Sequence, residues 1–222
     1  MGGPNLTRPR RRRSWRRSPV RDINGDGKAD YLVVDPGTGA VTAYFNNGPS
    51  GSGGIGGYDF SNPVSIATGV APGFEIHFAD IWGTGRADYL VVDPASGAID
   101  DYYNCGYNPA TQHQCWIPHL KIATGAGAPG NEIHFGAVYG SGRADYLMVN
   151  PDSSVEAYRN GGPNSAAGPG GWLWFPGGRI ASGVGVPGSQ VQFAGIDNNG
   201  YADYLTGAPD GSISAWINAG LH

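Results

Sequence analysis

ADYLVVDPGTGAVTAYFNNG, residues 29–48, returns as ADYLVVDPASGAIDDYYNCG at 87–106, ADYLMVNPDSSVEAYRNGG at 144–162 and ADYLTGAPDGSISAWINAG at 202–220. The aspartates of the four Ala-Asp-Tyr-Leu tetrapeptides are Asp30, Asp88, Asp145 and Asp203, at spacings of 58, 57 and 58. A second signature alternates with the first: SIATGVAPGFEIHFAD (65–80), KIATGAGAPGNEIHFGA (121–137) and RIASGVGVPGSQVQFAG (179–195). A fixed period of this length marks a chain of stacked supersecondary units.

Each unit reads as four strands. In the second unit these are EIHFADI (75–81), ADYLVVD (87–93), AIDDYYN (98–104) and HLKIAT (119–124). PASG supplies a hairpin turn, and a loop containing two cysteines separates the last two strands. ADYLVVD is apolar on both faces, which places sheets face to face. Four strands per unit, stacked radially, is the pattern of a β-propeller. The expectation is therefore an all-β propeller of four-stranded blades, with about 3.5 to 4 blades in this chain. An arm of residues 1–20 precedes the body at 21–222, whose blades fall at roughly 21–70, 74–126, 131–183 and 190–220. The fourth unit stops after its third strand. Open sheet edges invite pairing, so a homo-oligomer through this edge, or a longer propeller, is expected.

Composition agrees. Glycine (39) and proline (17) are frequent, yet 40% of the 222 residues are hydrophobic and 11% aromatic, enough for a core between tight turns. The net charge of −4 conceals a split. Residues 1–21 hold eight arginines and no acid; beyond them, six bases face all eighteen acids, leaving −12. A body this acidic repels nucleic acid and anionic membranes and suits cations or neutral ligands. The basic arm lacks the apolar run of a secretory signal. It reads as a tail or linker, with nucleic-acid binding as the rival. No stretch is long enough to span a membrane. Cys105 and Cys115 flank a polar loop containing Pro109. A disulfide is the reading preferred over a zinc site with His113 and His119, or two free thiols, and it implies an oxidising compartment.

The run DINGDGKAD (22–30) sets oxygen-bearing side chains at alternate positions, as calcium loops do. A helix–loop–helix hand is excluded, because its twelfth position needs a bidentate Glu and Val33 stands there. In register with the 58-residue repeat, the motif instead resembles the FG-GAP (VCBS-type) propeller repeats of integrin α heads, fungal lectins, and modules appended to secreted esterases. The resemblance spans residues 20–222. It implies structural Ca2+ held by the side chains of Asp22, Asn24, Asp26 and Asp30 and the carbonyl of Lys28. A weaker second site would use Asp197, Asn199 and Asp203. The second loop retains Asp80 and Asp88 but has Trp82 and Thr84 at ligand positions, and the third retains only Asp145.

No nucleophile elbow, zinc-protease motif or phosphate loop is present. His77 and His134 fill one slot of two repeats and read as packed residues. Glu75 and Glu132 repeat in the same way, too far apart for a glycosidase pair. The expectation is thus no enzyme, but a secreted, lectin-like module recognising glycans at its blade loops. Trp172, Trp174, Trp116 and Tyr103 are the candidate ligand-contacting aromatics, since flat rings beside amide groups suit sugars. The alternatives are a protein–protein platform of the integrin kind, or the substrate-targeting part of a secreted esterase or hydrolase.

Overall fold

The computed structural model describes residues 20–51, 57–166 and 169–220. The arginine-rich arm lies outside them, apart from its last residue, as does most of the glycine-rich stretch at 51–57. Among the described residues seventeen strands form four successive antiparallel sheets and one two-stranded ribbon. Blade 1 contains β1 (Val20–Arg21), β2 (Asp30–Val34), β3 (Val41–Tyr44) and β6 (Val64–Ala67), in that order. The ribbon of β4 (Asn46–Pro49) and β5 (Tyr58–Phe60) interrupts it. Blade 2 is β7 (Ile76–Ala79), β8 (Asp88–Val92), β9 (Ile99–Asn108) and β10 (His113–Ala123). Blade 3 is β11 (Ile133–Gly136), β12 (Asp145–Val149), β13 (Ser154–Pro163) and β14 (Trp172–Ser182). Blade 4 has three strands among the described residues: β15 (Val191–Ala194), β16 (Asp203–Gly207) and β17 (Ile213–Trp216). No helix of the described residues is long and apolar enough to cross a membrane.

The second strand of each blade is the sandwich filling. In β8 and β12 four of five residues are buried, on both faces. Leu32, Leu90 and Leu147 are fully enclosed on one face, while Tyr89 and Tyr146, each 3% exposed, are enclosed on the other. Tyr31, their counterpart in blade 1, is 41% exposed, because no described blade precedes it. First strands also meet: His77 packs edge-on to Phe135 at 5.7 Å, and His134 to Phe193 at 6.2 Å. This is the packed role read from their repeat-equivalence.

The tetrapeptide stitches neighbouring blades together. Its Ala N–H donates to the loop of the blade before: Ala87 to the Asp22 carbonyl (2.8 Å), Ala144 to Asp80 (2.8 Å) and Ala202 to Ala137 (3.0 Å). Its Tyr hydroxyl donates to the preceding hairpin turn, Tyr89 to the Gly39 carbonyl, Tyr146 to Gly97 and Tyr204 to Ser153. A third stitch comes from the asparagine opening each Asn-x-Gly. Asn104 Nδ2 donates to the Ile23 carbonyl in blade 1 and to Ala87 in its own blade, both at 2.9 Å. Asn160 reaches Ile81 and Ala144, and Asn218 reaches Val138 and Ala202.

The structure corrects the blade-2 outline in one respect. The cysteines do not bracket an irregular loop. Strands β9 and β10 run on to Asn108 and from His113, leaving a four-residue turn in which Gln112 takes φ +53°. Cys105 and Cys115 face each other across this hairpin, with Cα atoms 5.2 Å apart, and are disulfide-bonded. Backbone pairing, rather than the disulfide alone, orders the segment.

Asn160→Ala leaves Ile81 and Ala144 carbonyls and the Gly162 N–H without their partners in a buried seam. Each lost buried partner costs about 1–3 kcal/mol, so Tm is expected to fall by roughly 8 °C or more. Asn46→Ala, which removes bonds only within blade 1, should cost no more than about a third of that. Thermal unfolding of the two variants checks the ratio; equal losses would refute the seam assignment.

Candidate functional site

The loops joining the first two strands of blades 1 and 2 are built around two kinds of aspartate, and blades 3 and 4 keep the second kind. The first caps the turn. Asp22 accepts from the Gly25 and Gly27 N–H groups at 2.7 Å, and Asp80 accepts from Gly83, Thr84 and Gly85. Gly25 and Gly27 take φ of +83° and +81°, a left-handed backbone that L side chains rarely adopt, which is why the motif spells N-G-D-G. The second kind opens the following strand and is withdrawn from the turn. Asp30, Asp88, Asp145 and Asp203 are all fully buried. Asp30 accepts from the Ile23 and Asn46 N–H groups, both at 2.9 Å; Asp88 from Ile81 and Asn104; Asp203 from Ile196 and Asn218. Each joins its own loop to an Asn-x-Gly, which in blades 2, 3 and 4 latches the preceding blade.

Burial leaves its mark on these carboxyls. Desolvation raises the pKa of Asp30 and Asp145 despite their backbone donors, and brings Asp88 to about 7.

The expected calcium ligands divide accordingly. Asp22, Asn24 and Asp26 share one exposed turn, where Asn24 accepts from the Asp26 N–H and Asp26 from the Lys28 N–H. Lys28 Nζ sits 2.8 Å from Asp26 Oδ2. Asp30 belongs to the seam below, and its two oxygens are already engaged. The donor set is hard oxygen throughout, which suits calcium. Among the described residues, however, no three Asp, Glu, His or Cys side chains converge on one point. Loop 4 follows the same plan: Asp197 accepts from Asn199, whose amide also donates to the Asn218 carbonyl, while Asp203 is buried.

The aromatic candidates also separate. Trp172 is 5% exposed and lies in strand β14, not in a loop; its indole donates to Asn160 Oδ1 at 2.9 Å. The strand begins at Trp172, after a 3-10 turn at Pro169–Gly171, and Trp172 and Trp174 both reach across to blade 2. Trp82 collects Trp172, His119 and Tyr103 around it, at 4.7, 4.8 and 4.9 Å. Trp174 and Trp116 occupy equivalent places in two different seams, donating to the carbonyls of Ile122 and Ile66. Beside Trp174, a groove of about 200 Å³ opens between blades 2 and 3, lined by Tyr146, Tyr158, Pro176 and the Gly125–Ala126 backbone. Tyr158 and Trp174 are half-buried there. Tyr158 and its counterpart Tyr102 are among the strand-end aromatics that the sequence offers for binding, although their alternation along a strand reads equally well as core.

Blade 2 departs from the repeat at Asp101. The equivalent residues, paired with Leu32, Leu147 and Leu205, are Ala43, Ala157 and Ala215. Asp101 is fully buried and accepts the Trp82 indole N–H at 2.8 Å, while its Oδ1 has no hydrogen-bond partner. Desolvation, with the nearby Asp88 charge, raises its pKa to about 8. Only the exchange of Ala for Asp in one repeat signals this in the sequence.

Comparison with known proteins is consistent with the fold. Residues 22–91 match the FG-GAP-like repeat family. Sequence comparison with curated proteins gives no match. Among solved structures, a lectin of Agrocybe aegerita, described as recognising non-reducing terminal N-acetylglucosamine, is 19% identical with a TM-score of 0.50. The match covers 90% of this chain and 51% of the lectin chain. The Tc holotoxin pore of Photorhabdus luminescens is 18% identical with a TM-score of 0.47, over 91% of this chain and 9% of that one. The chain thus spans about half the lectin and a small part of the toxin chain.

Asp101 and Asp88 hold protons more tightly when folded than when unfolded. Their contribution to stability is full below about pH 4, the unfolded carboxylate range, and is lost as pH rises through about 7–8. Asp101→Asn keeps an acceptor for the Trp82 indole and has no charge to bury. Its Tm is therefore expected to exceed that of the parent at pH 8.5, with a smaller gain at pH 5. A pH-independent difference would overturn the assignment.

Proposed function

We propose that this FG-GAP-like repeat protein is a non-catalytic, extracellular binding module that takes glycans in the aromatic grooves between its blades. The observation that supports this most directly is the seam groove at Trp174. Two half-buried rings, Tyr158 and Trp174, flank a backbone stretch at Gly125–Ala126 within a space sized for one sugar ring. Sugar C–H faces stack on such rings while hydroxyls find backbone groups. Blades 1 and 2 repeat the arrangement with Tyr102 and Trp116. The disulfide suits an oxidising, extracellular setting, and the acidic body suits a neutral ligand. The sugar named for the Agrocybe lectin is the first ligand to test. A protein-binding reading has its own observation: Val70 and Phe74, between blades 1 and 2, are 58% and 64% exposed.

Calcium enters this reading as a structural cation in the first loop. Asp22, Asn24, Asp26 and the Lys28 carbonyl would hold it, with Asp30 beneath. Asp22 and Asp26 would exchange some of their N–H partners, and Lys28 Nζ, for the ion. Bound there, calcium would stiffen a turn that stitches blade 1 to blade 2 through the Asp22 carbonyl.

Millimolar calcium should raise Tm, since a ligand bound only by the folded state stabilises it and extracellular sites of this type bind at about 10⁻⁴–10⁻³ M. Asp26→Ala should abolish the rise and Ser141→Ala, in the third loop, should retain it. A melt indifferent to calcium and chelator would end the calcium reading.

Stacking contributes about 1 kcal/mol per ring, so a multivalent N-acetylglucosamine or mixed-glycan probe is required. Binding should saturate and weaken in Tyr158→Ala with little change in Tm. Trp172→Ala, by contrast, should lower stability by about 3–5 kcal/mol as a core truncation. Absence of glycan binding, together with capture of a protein through Val70 and Phe74, would favour the protein-platform reading.

A further inference from the structure

Asn-Gly occurs four times in the chain, at Asn24–Gly25, Asn47–Gly48, Asn160–Gly161 and Asn199–Gly200. In this dipeptide the glycine nitrogen, unhindered by a Cβ, can attack the side-chain amide carbon before it and expel ammonia. The fold leaves the four in different states. Asn160 is 3% exposed, and its amide donates to the Ile81 and Ala144 carbonyls inside the seam. Asn199 has its amide tied to Asp197 Oδ2 at 2.9 Å and to the Asn218 carbonyl at 2.8 Å. Gly48 is buried, and its N–H donates to Asn46 Oδ1, a neutral amide oxygen that is a poor acceptor for the proton itself.

Asn24–Gly25 is arranged differently. It lies in the turn between β1 and β2, where Gly25 and Asp26 are exposed. The Gly25 N–H donates to Asp22 Oδ1 at 2.7 Å, so the attacking nitrogen already faces a carboxylate able to take its proton. Asn24 Oδ1 accepts from the Asp26 N–H at 3.1 Å. That oxygen is where negative charge develops when the amide carbon is attacked. The Asn24 amide itself meets the Asp26 side chain within the same turn. No other residue replaces Gly25 easily: its φ is +83°, and a Cβ there would come 2.9 Å from Arg86 Cγ. The turn therefore requires the residue that leaves its own nitrogen open to reaction.

We propose that Asn24 is a site of spontaneous deamidation, carried by the groups that shape the first loop. The Gly25 nitrogen bonds to Asn24 Cγ while its proton passes to Asp22. The Cγ–Nδ2 bond breaks, the departing nitrogen takes up that proton, and ammonia leaves behind a succinimide ring. Water then opens the ring at either carbonyl, giving aspartyl or isoaspartyl at position 24. The sum is amide plus water giving acid plus ammonia, with no change of oxidation state. A positioned proton acceptor and a fixed N–H donor are the aids the turn supplies. The modified turn carries a further carboxylate beside Asp22 and Asp26, so an acidic loop becomes more anionic as the protein ages. This chemistry needs neither a glycan nor calcium.

The full chain, held at neutral pH and digested at intervals, tests this by peptide mass. The peptide containing position 24 should gain about one mass unit and split into aspartyl and isoaspartyl forms. It should do so at least about tenfold faster than the peptides containing Asn47, Asn160 and Asn199. In urea the four sites should react at similar rates, because the difference belongs to the fold. Asp22→Asn, shown to be folded by its Tm, should slow the reaction at Asn24 at least about tenfold. The parent's own ranking of the four sites needs no variant. Faster loss at another site, or equal rates at Asn24 in the parent and in Asp22→Asn, would overturn the proposal. So would a ranking unchanged by urea, which would assign the selectivity to local sequence.

Discussion

A carboxylate without access to solvent, bonded to two backbone N–H groups from opposite sides, sets the geometry of every blade. Asp30, Asp88, Asp145 and Asp203 hold this place. Each ties the loop between the first two strands to the Asn-x-Gly at the end of the third. In blades 2, 3 and 4 the asparagine so fixed turns its amide across the seam to the blade before. Burying a carboxylate is costly, and the raised pKa of Asp88 shows the strain; two donated N–H groups offset much of it. The result is a seam held by directional bonds as well as by packing. That fixes the angle between blades, which apolar contact alone would leave loose.

Because this seam is made by backbone groups and two side chains, the exposed turn above it is free to vary. The first loop keeps its oxygen-rich turn, the second replaces an asparagine by Trp82, and the third keeps neither cap nor cluster. Trp82 then folds down onto Trp172, Tyr103 and His119 and brings its indole N–H to Asp101. One turn position has thus passed from polar turn residue to core, drawing an aspartate into a place that other blades fill with alanine. The substitution leaves a carboxyl oxygen unpartnered, a polar defect that apolar packing around it must tolerate.

The grooves follow from the same seam. Where two complete blades meet, the fourth-strand tryptophan closes most of the gap and leaves a narrow aromatic cleft. Beside β17 the gap is open, and Tyr204, whose counterparts Tyr89 and Tyr146 are enclosed, is only half-buried. Binding sites in this architecture are what the repeating stitch leaves uncovered. Their shapes differ because the filling side chains differ from one blade to the next, Gln114 in one seam and Trp172 in the next.

The sequence alone determined the repeat, the strand count per blade and the double-sided burial of Ala-Asp-Tyr-Leu, because a period of 58 residues and a two-faced apolar run admit few architectures. It also contained the Asn-x-Gly that latches blades, four times in register, although nothing local says that an asparagine reaches a carbonyl some 80 residues away. Only the tertiary structure decided what the shared aspartate does. Asp30 at the end of a calcium-like motif and Asp145 at the end of a bare turn read differently in sequence, yet both are buried seam residues, since burial depends on the neighbouring blade. The same holds for the tryptophans. Trp172 sits among glycines and prolines that look like loop, and becomes core because Trp82, ninety residues earlier, stands opposite it. Alternation tells which residues share a face. Which face meets another blade, and which is left for a ligand, is settled by contacts between units far apart in the chain.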